Sequence, residues 1–371
     1  MRGIGIILAG GSDNRRLGGL TASRATSAMP IGGCYRCVDF TLSNMANSNI
    51  NKVAVITQYN SRSLHDHLSS SKWWDLGRKQ GGLFVFSPYL TDDDSFWFRG
   101  TADSIYQNLT YLERSNEEYV VIAHGNSIHK IDYSKIIEHH VDTDADITIV
   151  YSHVKDGDDI RQYGVMEMDD YDRVIEFEEK PLDPRSSTIS LGIYVIAREL
   201  LINMLKTLNS EGRYDLAQDL FMRYRKRLRI YGYYYGGYWR TINNIRTYYD
   251  SNMDFLKREV RNMFNREYPY IETKPKDEPP AKYNSNANVI DSLAGSGSIL
   301  NGDVWHSVLF RKVFAGEGSA ITNSIVMDGC RIGRDCRVEN AILDKDVVLS
   351  DGTQIIGYGS EPRIVTKRTV L

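Results

Sequence analysis

The sequence predicts an α/β domain built on a mostly parallel, mixed sheet, followed by a parallel β-helix. Two observations carry this. From residue 1 to about 255, short apolar runs alternate with polar, helix-compatible stretches, the pattern of strands and crossover helices around a covered sheet. Over roughly the last 90 residues, aliphatic or small apolar side chains recur every six positions, the period of a coil made of hexapeptides.

Ile4–Ala9, Val53–Thr57, Tyr119–Ala123 and Ile147–Tyr151 read as buried strands, being short, apolar and bounded by polar or turn residues. Ser104–Arg114 and Ser134–His140 read as helices between them. In such sheets ligands bind beyond the carboxyl ends of the strands, so function is expected in the loops that follow them. Glu272–Pro280 carries three prolines and alternating charge, which suits neither a helix nor a central strand. The expected division is therefore 1–260 for the α/β domain, 261–285 for a linker and 286–371 for the β-helix. In the β-helix, Val308, Phe314, Ala320, Val326, Ile332 and Val338 are expected to point inward and stack between coils. The residues four places after each, Lys312, Gly318, Ser324, Cys330, Cys336 and Ile342, are mostly small and are expected at tight corners. The frame slips after Val338 and resumes at Leu349 and Ile355, eleven residues on, as a corner of different length requires.

Composition narrows the function classes. The 371 residues are 42% apolar and 25% charged with a net charge of −3, so no global field attracts nucleic acid or an acidic membrane. No run of about 18 apolar residues occurs, which argues against a membrane span. Ile4–Ala9 runs straight into Gly10-Gly11-Ser12-Asp13-Asn14 without a credible cleavage site, so it reads as the first strand of a cytoplasmic protein rather than a signal peptide. Cys34 and Cys37 form a lone C-x-x-C with no second ligand pair and read as small residues on or near a strand. Cys330 and Cys336 fall on the six-residue pattern as core-lining residues. His65/His67 and His139/His140 lack a carboxylate-rich spacing that suggests a metal cage.

A glycine-rich turn, Leu8-Ala9-Gly10-Gly11 and on to Arg16, follows the first strand. Backbone N–H groups in such a turn can approach phosphates closely. It is followed by Leu20-Thr21-Ala22-Ser23-Arg24-Ala25 and by Ile31-Gly32-Gly33-Cys34-Tyr35-Arg36-Cys37-Val38-Asp39-Phe40. Together these resemble the N-terminal segment of the glucose-1-phosphate adenylyltransferases (ADP-glucose pyrophosphorylases). Further blocks follow in the order of that family. Trp97–Ser104 resembles its W-Y-R-G-T-A-D-A, Tyr163–Met166 its F-G-V-M, and Phe177–Pro181 its F-x-E-K-P. Leu191–Val195 resembles M-G-I-Y-V, Tyr214–Asp219 resembles H-D-F-G-x-D, and Gly237–Arg240 matches G-Y-W-R.

The resemblance implies a Rossmann-like, GT-A-like nucleotidyltransferase domain and a left-handed β-helix. The implied reaction is attack of glucose 1-phosphate on the α-phosphate of ATP, giving ADP-glucose and pyrophosphate for glycogen synthesis. Such a transfer relies on positioning and on charge neutralisation by Mg²⁺ and cationic side chains. Leu8, Ala9, Gly10, Gly11, Arg16, Gly100 and Thr101 are the implied nucleotide-binding residues. Gly164, Glu179, Lys180, Ser190 and Tyr194 are the implied sugar-phosphate set, with Lys180 on the phosphate and Glu179 on the sugar hydroxyls. Gly164 and Gly192 are expected to serve close backbone approach. Asp215 and Asp219 read equally as site residues or as capping residues.

Several positions depart from the family pattern. The metal-binding Asp of its G-D pair is Asn126 here, and the Asp of its W-R-D-V-G is Thr241. The lysine of R-A-K-P-A is Thr26, Ser12-Asp13-Asn14 alters the nucleotide loop, and Val85–Thr91 does not match A-Q-Q-R. Neutral Asn and Thr are poor ligands for a hard cation, so Mg²⁺, expected for the family, is expected to bind poorly and no metal-ligating residue is assigned. The expected role is a catalytically impaired regulatory or stabilising subunit, paired with an active one in a hetero-oligomeric tetramer, with a homo-oligomer also open. A second reading is an active nucleotidyltransferase whose ligands have moved, with Asp103 or Asp132 supplying a carboxylate. A third, an acyltransferase of the hexapeptide class, is suggested by the β-helix alone, with His306 the only histidine in that region. Basic side chains such as Lys52, Arg311 and Lys312 are candidates for an effector site between the domains.

Overall fold

A computed structural model describes residues 2–10, 14–77, 81–89, 97–154, 159–359 and 361–371. Four strands, β1 (Gly3–Leu8), β2 (Lys52–Ile56), β3 (Gly82–Phe86) and β4 (Tyr119–His124), lie parallel in the order β3-β2-β1-β4. Ile4, Ile6, Ile7, Val53, Val55, Val120 and Ile122 are buried, as uninterrupted aliphatic strands covered on both faces must be. After β4 come β5 (Ser127–His129), β6 (Ile147–His153), β7 (Gly164–Met168), β8 (Val174–Glu179), β9 (Thr188–Ala197), β10 (Ile230–Tyr234) and β11 (Trp239–Thr241). β9 runs antiparallel to β4, β6 and β7, β8 pairs with β7, and β10 lies parallel to β6, completing a mixed nine-stranded sheet. β5 and β11 form a separate antiparallel pair.

The helices α1 (Cys37–Asn47), α2 (Thr101–Tyr106), α3 (Leu109–Glu113) and α4 (Tyr133–Asp142) belong to this domain. The helix expected over Ser104–Arg114 starts three residues earlier and breaks at Gln107–Asn108. Asp103 sets the start by accepting from Arg99 N at 2.7 Å, and Asn108 marks the break by donating its amide back to Ser104 O at 2.8 Å.

The C-terminal domain is a left-handed parallel β-helix whose three sides are five-stranded parallel sheets. The register stacks Leu300, Ala315, Ile332 and Leu349 on one side. It stacks Val304, Ile321, Val338 and Ile355 on the second, and Leu309, Val326, Leu343 and Val365 on the third. This corrects the expected frame over its first half. Leu309, Ala315 and Ile321 point inward where Val308, Phe314 and Ala320 were expected. Val308 faces the other domain, Phe314 lies under the Arg331 guanidinium at 5.3 Å, and Phe314 and Ala320 are only half-buried. The cause is a five-residue side from Ile321 to Val326, turned at Asn323 with φ 47°. The same five-residue side recurs from Val338 to Leu343, turned at Asn340. Cys330 and Cys336 do line the core, their thiols donating to Asp344 O and Ser350 O. Ile342 instead faces the neighbouring domain.

The two domains share a core. Val308, Phe310, Ile325, Met327 and Ile342 of the β-helix pack with Leu17, Phe40, Tyr248 and Phe255. Buried in the same interface, Arg24 pairs with Asp344 at 2.6 Å. Residues 266–281, between α5 (Arg258–Asn265) and the first β-helix strand at Lys282, hold no helix or strand. They are tied along α1: Thr273 Oγ1 donates to Asp39 at 2.6 Å, Glu272 N donates to Ser43 Oγ, and Trp74 Nε1 donates to Glu272 O. No helix among the described residues is long and apolar enough to cross a membrane.

Candidate active site

A cavity of about 540 Å³ opens at the carboxyl ends of β1, β2 and β4 and beside the bend of β9. Main-chain hydrogen bonds gather its walls. Ala9 N donates to Ile56 O, Gly125 N to Leu8 O, Ala102 N to Tyr214 O, and Ile242 N to Asn126 O. Leu8, Ala9, Gly10, Arg16, Gly100 and Thr101 from the expected nucleotide set line it. So do Gly164, Glu179, Lys180, Ser190 and Tyr194 from the sugar-phosphate set, and Thr26, Asn126 and Thr241 from the altered positions. Gly11, Asp13, Leu90 and Thr91 lie outside the described residues.

The β5/β11 pair explains how two positions 115 residues apart share the cavity. Thr241 stands opposite Ser127, and Asn126 and Ile242 exchange backbone and side-chain hydrogen bonds just beyond. Asn126 Nδ2 donates to Ile242 O at 3.0 Å. Ser127 Oγ is buried without a protein partner among the described residues. This corner therefore presents an amide and hydroxyls, all neutral. Among the described residues, only Glu179 and Asp215 bring carboxylates to the cavity lining. Both are engaged. Asp215 accepts from Thr101 Oγ1 at 3.2 Å and from Gln218 N at 2.9 Å, capping the π-helical turn Leu216–Met222. Glu179 faces Lys180 Nζ at 3.4 Å. No group of three or more potential metal-ligating His, Cys, Asp or Glu side chains occurs among the described residues. Mg²⁺ in phosphate-transfer sites is held by one or two carboxylates together with substrate phosphates, and the Asn126 and Thr241 corner, with no carboxylate among the described residues, does not fit it.

The carboxylates proposed as replacements are committed elsewhere. Asp103 is buried and accepts from Arg99 N, from the Arg99 guanidinium and from Gln107. Asp132 caps α4 by accepting from Ser134 N and Oγ. Neither lines the cavity. Asp219 holds Tyr214 N, Asp215 N and Arg213, which makes it a scaffold residue. His306 pairs with Asp291 at 2.6 Å on the β-helix.

All five residues expected for the sugar phosphate line the cavity, and two of them are charged. Lys180 has a left-handed φ of 50° and its N–H donates to Tyr163 O, which turns the chain sharply after β8. Burial raises the Glu179 carboxyl above its usual range, with Lys180 opposing and Asp215 adding to the rise. Burial likewise pushes the Tyr194 hydroxyl up, so it is a neutral donor. A side chain at Gly164 would collide with the Phe177 ring, its Cβ lying 2.6 Å from Cζ.

Sequence reasoning missed His124. It ends β4, lines the cavity, and carries a ring with no hydrogen-bond partner among the described residues. Burial above all, with Lys180 adding to it, lowers the imidazole to about 4, so it is neutral at pH 7. The available signal was a polar residue closing the apolar run Val120–Ala123 just ahead of Gly125. Arg99, stacked on Tyr214 at 3.9 Å, and Gln58 also line the cavity unpredicted.

A smaller cleft lies between the domains, lined by Arg36, His67, Lys274, Lys276, Arg311, Asp328 and Lys345. Of the three basic side chains singled out from sequence, only Arg311 reaches it. Lys52 donates to Ser115 Oγ over the Tyr111 ring, and Lys312 pairs with Glu278.

Comparison with known proteins agrees with this geometry. Residues 4–258 match the Nucleotidyl transferase family and residues 279–363 match the GlmU-like C-terminal hexapeptide family. Proteins named glucose-1-phosphate adenylyltransferase from Bacillus cereus (strain Q1), Bacillus anthracis and Bacillus mycoides (strain KBAB4) are each 38% identical over 356 residues. Those alignments cover 95% of this chain and 94% of each relative. The chain belongs to the glucose-1-phosphate adenylyltransferase family. Within that family, its cavity combines a wall carrying Glu179, Lys180 and Tyr194 with neutral Asn126 and Thr241.

Proposed function

We propose that this chain is a subunit of a glucose-1-phosphate adenylyltransferase that is weak or inactive alone and regulates or stabilises an active partner subunit. The pair would form ADP-glucose and pyrophosphate from ATP and glucose 1-phosphate in glycogen biosynthesis, in the cytoplasm and as a tetramer. One observation carries this reading: Asn126 and Thr241 line the same cavity with no carboxylate between them among the described residues. Phosphoryl-type transfer without a metal loses its main means of neutralising developing charge. The retained Glu179, Lys180 and Tyr194 favour a sugar phosphate as a ligand this chain still holds. The basic cleft around Arg311 and Lys345 suits an anionic effector.

The test is turnover of ATP and glucose 1-phosphate with Mg²⁺ by this chain alone, by an active subunit alone, and by both together. The expected result is negligible turnover alone and altered turnover or effector response in the mixture. Turnover by this chain alone at the rate of an active enzyme overturns the reading.

A further inference from the structure

We propose that His124 is a ligand-contacting residue, its imidazole hydrogen-bonding the phosphate of a bound sugar phosphate so that this chain holds that ligand without a metal ion. The inference rests on the sugar-phosphate reading above and deepens it.

Position is the first support. In the strand order β9-β4-β1, His124 is aligned with Leu8 on one side and lies next to Gly192 on the other. It therefore stands between the half-pocket of the glycine-rich turn and that of Glu179 and Lys180. A nucleotide phosphate and a sugar phosphate held in those two halves would meet there.

The local backbone is shaped around the ring. β9 has a register irregularity between Ser190 and Tyr194, and Gly192 within it has φ +69°. A Cβ at Gly192 would lie 2.6 Å from His124 Cδ2 and 3.3 Å from Nε2. The bend and the missing side chain thus make room for the imidazole and lean it toward the sugar-phosphate wall. The backbone is fixed too, His124 O accepting from Thr41 Oγ1 at 3.0 Å.

The ring is also chemically available. The histidines buried in this domain have partners, His67 pairing with Asp39, His129 with the Tyr133 hydroxyl and His140 with the Thr148 hydroxyl, whereas His124 is half-buried. His124 has none among the described residues, yet it lines the cavity. A neutral imidazole presents one N–H donor and one acceptor nitrogen, and both are open to a ligand in the cavity. The charged groups near it are Glu179 at the end of β8, Lys180 just after it and Asp215 before the π-helical turn. Lys180 supplies the cation for a phosphate, and His124 supplies a directed neutral donor beside it.

The experiment is calorimetric titration of the full-length chain with glucose 1-phosphate, in EDTA and in Mg²⁺, using wild type, His124→Ala, His124→Gln, Lys180→Ala and His65→Ala. A hydrogen bond to a charged group corresponds to a factor of roughly 10 to 100 in affinity. The expected pattern is binding by wild type in EDTA, a loss of about tenfold or more in His124→Ala, and recovery of most of it in His124→Gln. His65, bonded to Ser87 away from the cavity, should be silent. Unchanged binding by His124→Ala with loss in Lys180→Ala overturns the contact and leaves the sugar-phosphate site standing. His124→Gln binding as weakly as His124→Ala reduces the ring to packing and overturns it as well. Binding only with Mg²⁺ overturns the metal-free claim. No binding by wild type under either condition removes the sugar-phosphate site and this contact together.

Discussion

Installing aspartate at both Asn126 and Thr241 separates the shape of the cavity from its charge. Asn126 now donates Nδ2 to Ile242 O at 3.0 Å, and an aspartate cannot donate there. Losing that bond and setting a carboxylate against a carbonyl costs about 1–3 kcal/mol. Two neighbouring carboxylates about 4 Å apart repel by about 1–4 kcal/mol, from water to an effective dielectric near 20. In EDTA the double variant is therefore expected to be less stable than the parent by roughly 2–7 kcal/mol. At about 2–4 °C per kcal/mol for a domain of this size, the melting temperature should fall by roughly 4–28 °C. Mg²⁺ should recover part of the loss in the variant by sitting between the new carboxylates, since a ligand at about 100 times its Kd stabilises by about 2.7 kcal/mol. The parent, with neutral donors, should show no such recovery. Pyrophosphate release, read in parallel, should rise by about 100-fold or more if charge stabilisation is what the site lacks. A double variant whose melting temperature ignores Mg²⁺, with a parent already turning over at full rate, refutes the reasoning.

Other outcomes follow from the same structure. Burial lowers His129 and His140 to about 4, below the ~6.5 of a free imidazole. The stability each contributes is present above about pH 6.5 and lost as pH falls toward 4, about 3 kcal/mol per residue at most; urea unfolding across that window should show the decline, reduced in His129→Gln. Glu179 is shifted the opposite way by burial, so its ionisation in the folded chain costs stability as pH rises; Glu179→Gln should raise the melting temperature at pH 7, with the gain vanishing below the usual carboxylate range. Arg24→Ala leaves Asp344 buried without its cation, a loss of about 3–5 kcal/mol, while Arg24→Met with Asp344→Leu should be far milder by denaturant titration. Ile321→Ala should cost about 2–5 kcal/mol as a core truncation, whereas Ala320→Ser should stay within about 0.5 kcal/mol; equal effects would contradict the inward frame.

What the sequence disclosed depended on whether one residue or a pattern carried the information. β1, β2 and β4 were legible because strands buried on both faces must be continuously aliphatic, and the cavity was then due at their carboxyl ends. The β-helix was legible as a period but not in phase. Val308-Leu309, Phe314-Ala315 and Ala320-Ile321 are adjacent apolar pairs, so a six-residue period fits either member, and only the five-residue side after Ile321 decides between them. Composition marked Glu272–Pro280 as unable to form regular structure, yet it could not reveal that Thr273, Glu272 and Trp74 tie this stretch to the domain. Pairing is equally invisible: Lys312 and Arg311 are neighbours in sequence, and only the fold gives one to Glu278 and the other to the cleft. His124 is a single residue at a strand end, without a periodic partner to announce it.

The altered residues of the cavity came from comparison with a family motif, but why their alteration leaves the fold intact is a property of the backbone. The walls meet through main-chain bonds, Ile242 N to Asn126 O and Ala102 N to Tyr214 O among them, and such bonds are indifferent to whether position 126 carries an amide or a carboxylate. The Asn126 amide even adds a bond to Ile242 O that a carboxylate could not make. A cavity assembled in this way can keep its volume and its sugar-phosphate wall while losing the charge that holds a cation. On the proposed reading, binding and turnover are separable functions of one pocket: binding would draw on Lys180, Glu179 and His124, whereas turnover would need acidic ligands that Asn126 and Thr241 do not supply.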